Sequence, residues 1–170
     1  QQINLTRFSL FFPEKREFFL ENAGIFEFGP PERNSFRPVP ILKTFFSRRI
    51  GLARGREVPI DYGLRLTGRA GGWNIGVLDV ITEETRFGDS LIPETNFGVV
   101  RLKRNLGQRS GVGFIYTDRD DGESSSRVFG VDFDYKPSRA LAFNGFWSGN
   151  EDDRAEGEDW AAGYGFAFRG

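Results

Sequence analysis

One feature constrains this chain more than any other. Apolar and polar positions alternate with a period of two, in segment after segment. Over 58–69, Ile60, Tyr62, Leu64 and Leu66 share one phase, while Asp61, Gly63, Arg65, Thr67 and Arg69 share the other. Over 127–136, Phe129, Val131, Phe133 and Tyr135 oppose Gly130, Asp132, Asp134 and Lys136. Over 160–169, Trp160, Ala162, Tyr164, Phe166 and Phe168 oppose Ala161, Gly163, Gly165, Ala167 and Arg169. In 110–118, Val112, Phe114 and Tyr116 oppose Gly111, Gly113, Ile115 and Thr117. Successive side chains of a strand point to opposite faces, so this period predicts strands with one apolar and one polar face, not helices. Further strands are predicted at 43–50, 73–83, 95–105 and 140–148, about eight in all. In two of them the apolar phase switches, near Val77-Leu78 and Val99-Val100, which predicts a bulge or burial on both faces.

The connections alternate as well. Those at 51–57, 84–94, 119–126 and 149–159 are long, and those at 70–72, 106–109 and 137–139 are short. Strands of this length match a tilted bilayer crossing of roughly nine to eleven residues. In lipid every backbone donor must be paired, so strands cross only as a closed sheet, apolar outside, with short turns at one rim and long loops at the other. Trp73, Tyr116, Tyr135, Trp147 and Trp160 sit near strand ends, where aromatic belts occur. Aromatic content is 15%, and 22 of the 170 residues are Gly, a strand-and-turn composition. The expected fold is therefore all-β: an antiparallel up-and-down, transmembrane-type β-barrel or part of one. The alternative is a soluble β-sandwich or barrel that binds a ligand, since period two alone does not say which face is wet.

Residues 1–42 read differently, as a lead-in before the strands of 43–170. A short helix is predicted at about 13–21: Pro13 suits a first turn, Glu14 complements the N-terminus and Asn22-Ala23-Gly24 can stop it. Glu14, Glu17 and Glu21 make this helix a candidate plug whose carboxylates pair with basic residues of the polar strand face. A sharper alternative is a glycoside hydrolase, which needs two carboxyl groups flanking one bond; one short helix does not flank a sugar from both sides. The candidate lining of the polar face comprises Arg48, Arg49, Arg65, Arg69, Arg101 and Lys103 with Asp61, Asp132 and Asp134. These form either a basic strip that attracts anionic solutes or an internal salt-bridge lattice.

The absent residue types remove whole classes of chemistry. The chain has no Cys, His or Met. Disulfides, thiolate or imidazole metal sites, and Cys- or His-dependent catalysis are excluded within it. No cofactor or metal site is expected. The acidic loops near 118–123 and 151–159 fail the EF-hand spacing, because Gly122 falls one place early counting from Asp118. Net charge is −1, with Lys and Arg in excess before residue 110 and Asp and Glu in excess after it. No segment is basic enough for a nucleic-acid surface.

The block Phe8-Ser9-Leu10-Phe11-Phe12-Pro13-Glu14-Lys15-Arg16-Glu17-Phe18-Phe19-Leu20-Glu21-Asn22 resembles the signature of an uncharacterised Gram-negative family. That family joins a carbohydrate-binding-module-like (family-nine-like) N-terminal domain to a large outer-membrane-type β-barrel domain. Further similar blocks follow in order: Phe46–Gly51, Leu66–Arg69, Gly72–Val80 and Thr95–Arg104. The resemblance spans roughly 5–105, with weaker spacing to 148. It implies the start of a barrel domain with more strands than are present here. It also implies an upstream carbohydrate-module-like domain, an upstream signal peptide, a bacterial outer-membrane location and outer-membrane lipid as a partner. Carbohydrate is the solute that this architecture suggests. No activity comes with the resemblance, and the expected role is a membrane-embedded scaffold or pore, not an enzyme.

Overall fold

The computed structural model describes residues 14–29, 44–45, 47–53, 55–154 and 159–168. Seven strands build one antiparallel sheet. Two small hairpins flank it: β1 (Leu52–Ala53) with β2 (Arg56–Glu57), and β5 (Thr85–Phe87) with β6 (Ser90–Ile92). The long strands are β3 (Ile60–Ala70), β4 (Trp73–Thr82), β7 (Thr95–Leu106), β8 (Ser110–Asp120), β9 (Ser125–Tyr135), β10 (Leu141–Asp152) and β11 (Asp159–Phe168). The sheet order is β3-β4-β7-β8-β9-β10-β11, so every long strand pairs with its nearest long neighbours in sequence. Among the described residues β3 and β11 do not pair with each other, and the sheet is open.

Seven of the eight predicted strands are present. The exception is 43–50, where Ser47–Arg49 forms a 3₁₀ turn and Ile50 is buried in the core. Its apolar residues Phe45 and Ile50 lie five apart, out of phase for a strand, and Gly51 then turns the chain with φ 74°. The 84–94 connection contains the β5–β6 hairpin, turned at Gly88 with φ 62°. The connection after β8 shortens to 121–124, because β8 and β9 both run further than the alternation indicates. No bulge interrupts β4 and β7, whose register is continuous. The register shift lies in β3, between Ile60 and Tyr62. The phase switches at Val77-Leu78 and Val99-Val100 instead mark strands that are apolar on both faces. Leu78 and Val99 are buried, while Val77 and Val100 are half-buried on the other side. The β3–β4 turn is Gly71-Gly72, with φ 55° and 82°, the doubly positive pair that suits a tight hairpin.

One face of the sheet is bare. It carries Tyr62, Leu64 and Leu66 on β3, Val112 and Phe114 on β8, Val131, Phe133 and Tyr135 on β9, and Trp160, Tyr164, Phe166 and Phe168 on β11. Tyr164 is 88% exposed and Trp160 72%. The other face is covered by the segment from Glu14 to Gly29. Within it the helix is a single turn, Glu17–Leu20, followed by a 3₁₀ turn, Ala23–Phe26. The helix is shorter than expected because the amides of Lys15 and Arg16 donate to the Glu14 carboxylate, not into a helical ladder. It stops where predicted, with Asn22 left-handed at φ 50°. Phe19, Phe26 and Ile50 pack on Leu78, Val80, Val99 and Ile115, with Phe28, Phe45 and Phe97 around them.

Glycines on the covered face make this docking possible. A Cβ on Gly76 would lie 2.7 Å from Ile25 Cγ2 and 2.9 Å from the Phe26 ring. One on Gly130 would lie 2.6 Å from the Phe28 ring, and one on Gly63 would lie 3.1 Å from the Phe18 ring. Each glycine is a seat for an apolar side chain of the lead-in, at separations no side chain tolerates without a shift in packing.

Candidate functional site on the covered face

The strand register places the polar residues of this face in rows. Arg69 of β3 pairs with Asn74 of β4, and Asn74 with Lys103 of β7. Lys103 then pairs with Gly113 of β8, and Gly113 with Asp132 of β9. One row therefore starts basic and ends acidic.

At the acidic end, Arg101 and Asp132 form a bidentate pair at 2.8 Å for both bonds, with the Arg101 side chain fully buried. The Gly29 amide also donates to Asp132 at 3.1 Å, and the Arg101 guanidinium sits over the Phe28 ring at 5.6 Å. Gly113 lies beneath the pair. A Cβ there would collide with both the carboxylate and the guanidinium. Asp134 accepts from Lys136 at 2.6 Å. Close by, both amide atoms of the buried Asn144 have no partner among the described residues.

At the basic end the arrangement differs. A cavity of about 710 Å³ is lined by Arg69, Lys103, Asn74, Asn105 and Thr67, together with Asn22, Gly24 and Ile25 of the lead-in. Asn22 Nδ2 donates to Thr67 Oγ1 at 3.2 Å, which ties the cavity's roof to its wall. Neither Arg69 nor Lys103 has a carboxylate partner among the described residues.

The remaining candidates are dispersed. Arg65 donates to the Glu21 carboxylate and to the Glu21 carbonyl, tying the lead-in to β3. Asp61 sits at the β3 register shift, exposed and outside the Arg101–Asp132 pair. Arg48 and Arg49 lie in the 3₁₀ turn, not on a strand of the sheet. Glu17 is exposed. Glu14 anchors a separate node. It accepts from Arg16 Nε at 2.9 Å, Arg16 Nη2 at 2.8 Å and Ser47 Oγ at 2.8 Å. Arg16 in turn donates to the carbonyls of Ile50 and Ser47 at 2.7 and 2.9 Å. Arg16 is the residue that sequence reasoning missed here: it is one cation among many in the sequence, and its partners lie more than thirty residues away.

The Arg16 guanidinium, with backbone and Ser47 donors, holds the Glu14 carboxyl at about 2, below the usual 4.5. A carboxyl ionised at neutral pH has no proton to give a leaving group, so Glu14 is not suited to serve as the acid of a hydrolase. The depressed value also has a stability consequence. The contribution of Glu14 is fully present above pH 4.5 and is lost as pH falls toward 2. The difference in unfolding midpoint between the wild-type chain and Glu14→Gln is expected to be largest at neutral pH and to close across that window. A constant difference at all pH values would show that the node is not electrostatic.

The acidic loops close on themselves. Burial opposes the charge of Asp121, but the Ser124 amide and hydroxyl, the Glu123 amide and the Arg154 cation draw its carboxyl below the ordinary range. Asp153 is likewise lowered by the Ser125 hydroxyl and amide. Donors already occupy these carboxylates, and the described residues contain no cluster of three metal-ligating side chains. No family model, curated protein or solved structure matches the chain.

Proposed function

We propose that this chain forms part of the wall of an outer-membrane-type β-barrel, acting as a membrane-embedded scaffold or pore, with residues 14–29 as an internal plug. One observation carries the reading: the lead-in covers the glycine-and-charge face of the sheet, and the apolar face is left bare across all seven long strands. A soluble sandwich would do the reverse, burying its large apolar side chains between layers. Long strands of ten to twelve residues fit a tilted crossing of the hydrocarbon layer. The family resemblance of the N-terminal block supports a bacterial outer-membrane setting. It also supports an upstream carbohydrate-module-like domain and a sugar as the solute presented or passed.

All three tryptophans, Trp73, Trp147 and Trp160, lie in the bare-face phase of their strands. Their fluorescence therefore reports on that face alone. The whole chain, refolded with phosphatidylcholine vesicles, is expected to float with the lipid, and brominated acyl chains should quench its emission strongly. Bromines placed near the headgroups should quench Trp73 and Trp160, which stand at strand ends, and bromines deeper in the acyl chain should quench Trp147, which the structure places midway along β10 and not near a strand end. A chain that stays in the aqueous fraction, with emission insensitive to bromine, would overturn the membrane reading.

A further inference from the structure

We infer that the cavity at Arg69 and Lys103 is a binding site for a small hydroxylated anion, a sugar phosphate or sugar acid. This rests on the reading above for the route by which such a solute arrives, but its chemistry stands on the site itself.

The charges on the covered face are not equivalent. Arg101 is neutralised by Asp132, Lys136 by Asp134, and Arg65 by Glu21. Arg69 and Lys103 are the cations of the central row left without a carboxylate among the described residues, and they line one cavity. Lys103 lays its stem across Gly111, which has no side chain to obstruct it: a Cβ there would meet Lys103 Cε at 3.4 Å. Lys103 is itself one of the residues that line the cavity. Between and beside the two cations stand Asn74 and Asn105, whose amides touch each other only weakly, at 3.5 Å. They retain donor and acceptor capacity for hydroxyl groups. A guanidinium and an ammonium recognise phosphate or carboxylate through charge-assisted hydrogen bonds. Amides recognise a polyol, so the two sets together describe an anionic sugar better than a bare ion or a neutral sugar. The 710 Å³ volume admits a monosaccharide derivative.

Calorimetric titration of the whole chain in detergent micelles, with glucose 6-phosphate, glucuronate and glucose as probes, tests this. Glucose 6-phosphate and glucuronate are expected to bind about tenfold or more tightly than glucose, and binding should weaken as salt is raised. Arg69→Gln and Lys103→Gln should each weaken the anionic probes about tenfold, and Lys103→Arg should retain them. Arg86→Gln, which removes the same charge from the β5–β6 hairpin, should leave them unchanged. Equal affinity for glucose, undiminished binding in the Arg69/Lys103 double variant, or no binding of either anion would overturn the assignment. A chain that floats with vesicles but binds no anion removes only this inference. A chain that binds the anions but stays out of lipid removes only the membrane reading.

Discussion

Replacing Asp132 with alanine is expected to cost about 3–5 kcal/mol of folding stability, because it strands the Arg101 charge inside the protein. Arg101 is fully buried, both of its Nη atoms are committed to Asp132, and its Nε already lacks a partner. The Gly29 amide would lose its acceptor as well. Replacing both members with apolar residues, Arg101→Met with Asp132→Leu, should cost far less, since buried pairs are often exchanged for hydrophobic ones at little net loss. Urea unfolding of the micelle-bound chain, followed by far-ultraviolet circular dichroism, compares the two. A loss below about 1 kcal/mol in the single variant would place the pair in solvent-like surroundings, contrary to its burial.

Filling the Phe28 seat is the second large effect. Gly130→Leu inserts a side chain where even a Cβ would stand 2.6 Å from the Phe28 ring. Overpacking of this kind costs about 1–3 kcal/mol when the structure must yield. Here the easiest yield is to lift the lead-in off the sheet. Trypsin cleavage after Lys15 and Arg16 is expected to speed up about tenfold while the strand signal in circular dichroism persists. Gly76→Leu should act the same way through Ile25 and Phe26. Gly68→Ala, with nothing within 4 Å, is the control expected to change neither. Unaltered cleavage in Gly130→Leu would mean that the Phe28 seat does not hold the lead-in and that its other anchors, the Glu14–Arg16 node and the Arg65–Glu21 pair among them, suffice.

The strands were legible because alternation is a local signal. Phe129 through Tyr135 report their faces whatever they pack against. The failure at 43–50 is instructive for the same reason: Phe45 and Ile50 do not alternate. Which face would be covered was not legible, since Phe28 and its seat Gly130 are about a hundred residues apart and neither is unusual by itself. The charge candidates on the long strands shared one phase, but phase does not choose partners. Register sets the rows, and over the bare Gly113 Asp132 reaches diagonally to Arg101, while Arg69 and Lys103 stay beside Asn74. Asp121 was part of an acidic run in the sequence, and only the fold reveals its carboxylate as the anchor of two loops.

The sheet's wiring also dictates an order of assembly. Every long-strand pairing joins chain neighbours, so the sheet can zip hairpin by hairpin with small closure entropy at each step. The bond from Gly29 to Asp132 spans 103 residues and has nothing to hold onto until β7, β8 and β9 are aligned. Folding should therefore show a fast phase that builds strand content and a slower one that buries the lead-in. Between them lies an interval in which the polar face of a finished sheet stands open.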